Sequence, residues 1–241
     1  MVSHKNGKAV LKILTDLGKQ VESHSIAALD HFNGRGAARL YRTDREALLL
    51  EYLEGEDLSH MVKHGNDCQA TIALCDLLLE LHNIQGPIPE NIPTMESRFA
   101  SLFRRASDSS NDFFYRAASI AEELMTSSSR CVVLHGDIHH NNIIMSKDRG
   151  WLSIDPQPVV GESIYDTANI FYNPDDSPEI VESTLRMTTL SEIIADRMKT
   201  SKERVLKYAF AHGGLSISWQ MDHNENPERR TRIAMLIESL L

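Results

Sequence analysis

Cysteine is scarce in this sequence, basic charge is outnumbered, and no long apolar run occurs. The three cysteines, Cys68, Cys75 and Cys131, are odd in number and form no C-x-x-C pair, which argues against both a disulfide framework and a zinc knot. Cys68 and Cys75 fall on one expected helix and are read as buried apolar residues. No stretch reaches the ~18 apolar residues of a membrane span. The segment Met1 to Lys12 is polar and basic with no apolar run behind it, so no signal-peptide pattern is present and the cytoplasm is the expected location. Lys and Arg number 25 against 34 Asp and Glu, a formal charge of −9. That balance argues against sequence-tolerant nucleic-acid binding, which needs a basic face for the phosphates, and it suits a cationic substrate somewhat better.

What is present is an ordinary globular composition, with 41% hydrophobic and 24% charged residues over 241 positions. This length suits one large domain or two small ones with a substantial core. Lys8 to Leu14 reads as a strand entered from a hairpin at Asn6-Gly7. Leu17 to Phe32 carries the apolar stripe Val21, Ile26, Leu29 and Phe32 and ends at Asn33-Gly34, a helix with its stop signal. Ala37 to Tyr41 and Ala47 to Leu53 are two further strand candidates. The expected division is a small α+β lobe over residues 1–54 and a mainly helical lobe over 55–241. In the second, Asp67 to His82, Glu96 to Arg105 and Asp112 to Met125 read as helices. Cys131 to Leu134, Ile143 to Met145 and Trp151 to Ile154 read as short strands, and the chain is helical again from Tyr165.

The densest polar segment is His135-Gly136-Asp137-Ile138-His139-His140-Asn141-Asn142, wedged between the apolar runs Val132 to Leu134 and Ile143-Ile144. So many polar groups beside core strands are costly unless partnered, so the loop reads as functional. A second strand ends in Ile154-Asp155-Pro156. Phosphoryl transfer needs a carboxylate to take the proton of the attacking hydroxyl and oxygen ligands that hold Mg²⁺ on the phosphates. Asp137, with Asn142 five residues on, and Asp155 at the strand end supply that set. The spacing D-x-x-x-x-N is that of a kinase catalytic loop. A metal-dependent hydrolase built on His135, Asp137, His139 and His140 stays open as a rival, because imidazole and carboxylate suit transition metals.

The segments LHGDIHHNNII and GWLSIDPQPVVGESIYDTANIF resemble the aminoglycoside phosphotransferase superfamily, and within it the streptomycin/hydroxyurea phosphotransferase group. VLKI around Lys12, NGRGAARLY, and LLLEYLEG from Leu48 to Gly55 extend the resemblance over most of the chain. It implies a bilobal protein-kinase-like fold with ATP in the cleft. By the same resemblance Lys12 contacts the phosphates, and the backbone of Glu51, Tyr52 and Leu53 lies at the adenine. Asp137 is then the catalytic base, Asn142 and Asp155 are the metal ligands, and Asp166 supports the catalytic loop. His135 is read as structural, and His139 and His140 as loop residues. Trp219, Asp222 and Glu225 are weighed between core or solvent roles and acceptor contacts.

Two departures accompany the resemblance. Only Gly7 precedes Lys12, so the two N-terminal strands and their phosphate-covering loop are expected to be missing. From this follow weak ATP binding and an exposed sheet edge at Lys8 to Leu14 that could support a homodimer. The acidic partner of Lys12 is also unassigned, with Glu22 the only nearby substitute. The function expected is ATP- and Mg²⁺-dependent phosphorylation of a hydroxyl on a small polar molecule, such as an aminoglycoside-type antibiotic. The alternative is a catalytically weak or inactive kinase-like binding protein.

Overall fold

A computed structural model describes residues 1–4, 7–14, 16–44, 46–108, 112–128 and 130–241; the side chains of His4 and of residues 15–21 are outside the description. Strands β1 (Val2–His4), β2 (Gly7–Ile13), β3 (Leu40–Thr43) and β4 (Ala47–Glu51) form an antiparallel sheet in the order β1-β2-β4-β3, with helix α1 (Asp16–Phe32) inserted between β2 and β3. Register is set by the pairs Ala9 with Glu51, Leu11 with Leu49 and Ile13 with Ala47. This register places the half-buried Lys12 opposite the buried Leu48. The edge expected at Lys8 to Leu14 is narrower than the sequence implied. β1 pairs with Gly7, Lys8 and Ala9, so only Val10 to Ile13 lies beyond its cover.

Ala37 and Ala38 do not join β3. Ala37 bridges Ser153, and the Ala38 N–H donates to the Ser153 carbonyl (2.9 Å), while Ser153 donates back to the Gly36 carbonyl. The sequence alone makes Ala37 to Tyr41 a strand candidate. Its start is extended backbone that docks the sheet on the hairpin carrying Ser153.

That hairpin is β6 (Ile143–Ser146) with β7 (Gly150–Ser153), and beside it β5 (Cys131–Leu134) pairs with β8 (Val159–Glu162). Ala38, Leu53 and Leu152, with Ile144 and Ile154 against them, make a small separate core between sheet and hairpin. Gly55 fixes the connection, since a Cβ there would lie 2.1 Å from the Met145 carbonyl oxygen.

The helical part comprises α2 (Ser59–Lys63), α3 (Asp67–His82), α4 (Met95–Asp108), α5 (Asp112–Thr126), α6 (Pro178–Val181), α7 (Thr184–Met198), α8 (Lys202–Asp222) and α9 (Glu228–Glu238). A 3-10 helix, Ser163–Tyr172, is buried from Ile164 to Tyr172. α8 is buried on every side from Tyr208 to Ser218, as a central helix must be when it is apolar all round. Its Gly213 and Gly214 let neighbours close in: added Cβ atoms would meet the Tyr172 hydroxyl at 2.0 Å and the Ala117 Cβ at 2.6 Å. Of the cysteines, Cys75 is buried as expected and its thiol is pushed up to about 12 by burial. Cys68 is exposed, a correction to its reading as a core residue. Among the described residues no helix is long and apolar enough to cross a membrane.

Candidate active site

A cleft of about 380 Å³ opens between the sheet and the β6–β7 hairpin, walled by Val10, Leu29, Ala38, Leu48 and Leu50 and floored by Asn142, Ile154 and Asp155. Its walls are apolar enough for a planar base, and its polar groups gather at one end. There Lys12 Nζ lies 2.5 Å from Glu22 Oε1 and 2.7 Å from Asp155 Oδ1. Glu22 is therefore the acidic partner left open by the sequence, presented by the second turn of α1. The Ser25 hydroxyl, one turn further on, donates to the Pro156 carbonyl at 2.8 Å and holds α1 against the loop. Burial opposes the charge on Lys12, but Asp155 and Glu22 outweigh it and raise the lysine above its ordinary value.

Below the cleft the catalytic loop hangs from Asp166. This buried carboxylate accepts the N–H of His135 (2.8 Å), the N–H of Gly136 (2.7 Å) and His82 Nε2 (2.9 Å). Burial alone would raise its pKa; the bonds from His82 and the loop N–H groups prevail and hold it below the ordinary carboxylate range. Gly136 has φ +78°, and a Cβ there would sit 1.9 Å from the Gln157 carbonyl oxygen, so only glycine fits. His135 is structural, as expected. Asp137 N–H donates to its Nδ1 (3.4 Å), so Nε2 carries the proton given to the Ile154 carbonyl (2.9 Å).

Asp137 is half-buried at the tip of the loop. Asn169 Nδ2 donates to its Oδ1 at 3.0 Å. Burial raises its pKa; His139, Arg98 and Arg230 pull the other way, and Asp155 adds to the rise. Asn142 Nδ2 donates to the Asp137 carbonyl at 3.0 Å, a bond that does not use its amide oxygen. With the Asp155 carboxylate it offers the hard oxygen donors that magnesium takes, so the residues present fit that ion. Asp155 itself stands at φ +54°, a conformation open to few side chains other than Asn and Asp.

The imidazole-rich motif does not converge. His135 is spent on the backbone, and His140 is fully buried with neither ring nitrogen partnered. Among the described residues no three His, Cys, Asp or Glu groups gather to hold a metal, which removes the footing of the hydrolase reading. Glu51 lines the cleft, but its carboxylate is occupied by the Arg39 N–H (3.0 Å) and by Arg149. The β2–β4 ladder ends at its pair with Ala9, so the backbone of Tyr52 and Leu53 lies past the last rung. Leu53 packs in the small core, and Tyr52 carries Lys8 over its ring at 5.5 Å. Asp222 is taken up by Ser101 (2.6 Å), Arg104 (2.9 Å) and Arg105 (2.6 Å), a staple between α4 and α8.

Three residues at the loop escaped sequence reasoning: Asn169, Arg98 and Arg230. Asn169 lies in the YDTAN segment, whose signal was credited to Asp166 alone. Arg98 donates to the Gly136 carbonyl (3.2 Å) and to that of Gln157. Neither arginine has a motif around it.

Residues 1–224 match the profile of a family described as aminoglycoside/hydroxyurea antibiotic resistance kinase. A streptomycin 3''-kinase of Klebsiella pneumoniae is 36% identical over 195 residues, 79% of this chain and 73% of that protein. A streptomycin 6-kinase of Streptomyces griseus is 29% identical over 168 residues, 66% of this chain but 53% of its own length. Among solved structures, an aminoglycoside phosphotransferase of Streptomyces rimosus, in complex with ADP and streptomycin, superposes with a TM-score of 0.62 at 16% identity, covering 88% of each chain. That likeness supports the kinase-like fold of a small sheet and a larger helical part.

Proposed function

The chain belongs to the aminoglycoside/hydroxyurea antibiotic resistance kinase family, and on that premise we propose that it transfers the γ-phosphoryl group of ATP to a hydroxyl of a small polar molecule of the antibiotic class. The observation that carries this reading is one constellation: Lys12, Asn142 and Asp155 at one end of an apolar cleft, with Asp137 bound to Asn142 through its own carbonyl. We place the lobe division at residue 54, between the last strand of the sheet and the connection pinned by Gly55.

The walls of the cleft would take the adenine, with the backbone of Glu51 to Leu53 at its edge. Lys12, steadied by Glu22, would neutralise phosphate oxygens, and Asn142 and Asp155 would hold Mg²⁺. When bound, that ion supplies charge neutralisation to the phosphates. Asp137 Oδ2 faces the acceptor and takes the hydroxyl proton as the phosphoryl group is transferred. Burial favours this step, because it keeps the carboxylate a better base than a solvated one. The acceptor is a small molecule rather than a protein. Only nine residues lie between Asp155 and Tyr165, and four of them are tied into β8 against β5, so this stretch holds no extended activation segment on which a peptide could dock. A homodimer through the uncovered Val10 to Ile13 edge, and a cytoplasmic location, belong to the same proposal.

The test is a coupled assay with MgATP over streptomycin, other aminoglycosides and hydroxyurea, with mass spectrometry of the acceptor. A phosphorylated product formed only with nucleotide is expected. Nucleotide binding without turnover of any hydroxyl compound would favour the silent binding protein instead.

A further inference from the structure

Asn169 holds the Asp137 carboxylate, and an amide can do so in only one direction. Its nitrogen donates and its oxygen does not, although the two ends are nearly the same shape. With Nδ2 toward Asp137 Oδ1 at 3.0 Å, the amide steadies a charged carboxylate. Turned over, it would set its oxygen against that carboxylate. It could otherwise accept the proton of the carboxylic acid and keep the base in its spent form. Nothing in Asn169 itself selects the useful direction.

The selection comes from Asn173, four residues further along the chain. Asn173 Nδ2 donates to Asn169 Oδ1 at 3.1 Å and to the Asn169 backbone carbonyl at 2.9 Å. A backbone carbonyl can only accept, so the Asn173 amide cannot turn over without setting its own oxygen against two others. Its direction is thereby fixed, and it fixes that of Asn169 in turn. The backbone of Asn173 is anchored as well. Arg186 of α7 donates from Nη2 to the Asn173 carbonyl at 3.0 Å. The same guanidinium pairs with Asp67 of α3 through Nε (2.6 Å) and Nη2 (3.2 Å). Asn169, Asn173 and Arg186 are all buried, where a donor or acceptor left without its partner is costly. A continuous line of hydrogen bonds thus runs from an ion pair between α3 and α7 to the Asp137 carboxylate.

We propose that Asn173, anchored by Arg186, is a positioning residue for phosphoryl transfer: it orients the Asn169 amide so that an N–H, and not a carbonyl oxygen, meets Asp137. This inference deepens the kinase reading above and rests on it.

The experiment compares Asn173→Leu, which removes the donor at similar volume, with Asn173→Asp, which keeps the shape but invites the wrong amide direction. Each is made in the wild type and in an Asn169→Leu background. N173L is expected to lower kcat about threefold to tenfold, the worth of one neutral hydrogen bond. N173D should lower it about tenfold to a hundredfold, the worth of the bond to the charged carboxylate. KM for MgATP should hold within about threefold. In the N169L background neither change should cost more than about twofold, because both act through the same amide. A purely structural Asn173 predicts the reverse order, since aspartate is the closer replacement, and penalties that persist without Asn169. That order, or full additivity with N169L, would overturn the proposal. Should N173D not fold, the cycle of N173L with N169L decides alone.

A second measurement needs no turnover. The Asn169 side-chain amide NMR signal, identified by its loss in N169L, should move on Asp137→Ala in the wild type. It should stay in place on the same change in N173D, where its N–H groups turn toward residue 173. Equal movement in both would also overturn the assignment. Absence of any MgATP-dependent turnover would strike the kinase reading instead, while the NMR comparison still decides the amide direction.

Discussion

At the residue scale the two aspartates of the site should separate cleanly. The Asp137 carboxylate has one oxygen held by Asn169, and Asn142 meets its backbone carbonyl, whereas the Asp155 carboxylate pairs with Lys12 in the cleft. Asp137→Ala is expected to lower kcat by about a hundredfold to ten-thousandfold, the range of a lost general base, with calorimetric MgATP affinity nearly unchanged. Asp155→Asn should abolish Mg²⁺-dependent nucleotide binding together with activity. Full activity in either variant would refute the assignment.

The pH profile adds a second check. Burial raises Asp137, and the group must be deprotonated to accept the hydroxyl proton. Activity should therefore be present above its raised pKa and fall away as pH drops through it, at a higher pH than a solvated aspartate would give. Arg230 holds that pKa down, so R230Q should move the acid limb of kcat further up. A limb that stays in the ordinary carboxylate range in both proteins would show that another group controls it.

At the element scale the catalytic loop is held by one carboxylate and one glycine. Asp166→Ala would strand the His135 and Gly136 N–H groups and His82 in the interior, and removing one member of such a buried set costs about 3–5 kcal/mol. A large fall in melting temperature is expected. Asn169→Ala removes side-chain bonds to Asp137 and Asn173; it should leave melting nearly intact and lower kcat about tenfold to a hundredfold, the loss of one bond to a charged group. Equal effects of the two variants on melting would show that Asn169 is structural rather than positioning.

This loop was also the most legible part of the sequence, because D-x-x-x-x-N and the following Ile-Asp-Pro place polar residues where an apolar pattern breaks. Lys12 was legible, and its partner Glu22 only by elimination, since a helix brings it to the lysine in three dimensions and not by spacing. β8 escaped notice because Val159 to Glu162 is four residues long, bounded by Pro158 and interrupted by Gly161. The strand reading of Ala37 to Tyr41 began too early because Ala37 and Ala38 pair with Ser153 across the interface, a contact no local pattern encodes. Arg98 and Arg230 were invisible for the same reason: each is an ordinary helix arginine until tertiary packing brings α4 and α9 to the loop.

At the scale of the whole molecule, the helical part encloses histidines that must stay uncharged. His140 and His212 are both buried, and burial pushes each down to about 3 from the ordinary 6.5. Their unfolded counterparts bind a proton as pH falls below 6.5, while the folded ones do not. The unfolded state therefore binds more protons throughout the window from 6.5 down to about 3, and stability falls as pH falls across it. His212 has Tyr165 Oη at 3.4 Å and Tyr172 beside its ring, so its removal would disturb packing. His140 is the cleaner probe, because neither of its nitrogens has a partner, and a leucine there forfeits no hydrogen bond. His140→Leu is expected to hold or raise the melting temperature near neutral pH, since an unsatisfied buried polar group costs about 1–3 kcal/mol. It should also shrink the drop in melting temperature between about pH 7 and pH 5, because one of the proton-linked groups is gone. Calorimetric melts of both proteins at the two pH values decide it. A variant that melts well below the wild type at neutral pH, with the same drop toward acid, would mean that the His140 ring is bonded in solution and that the acid sensitivity resides elsewhere.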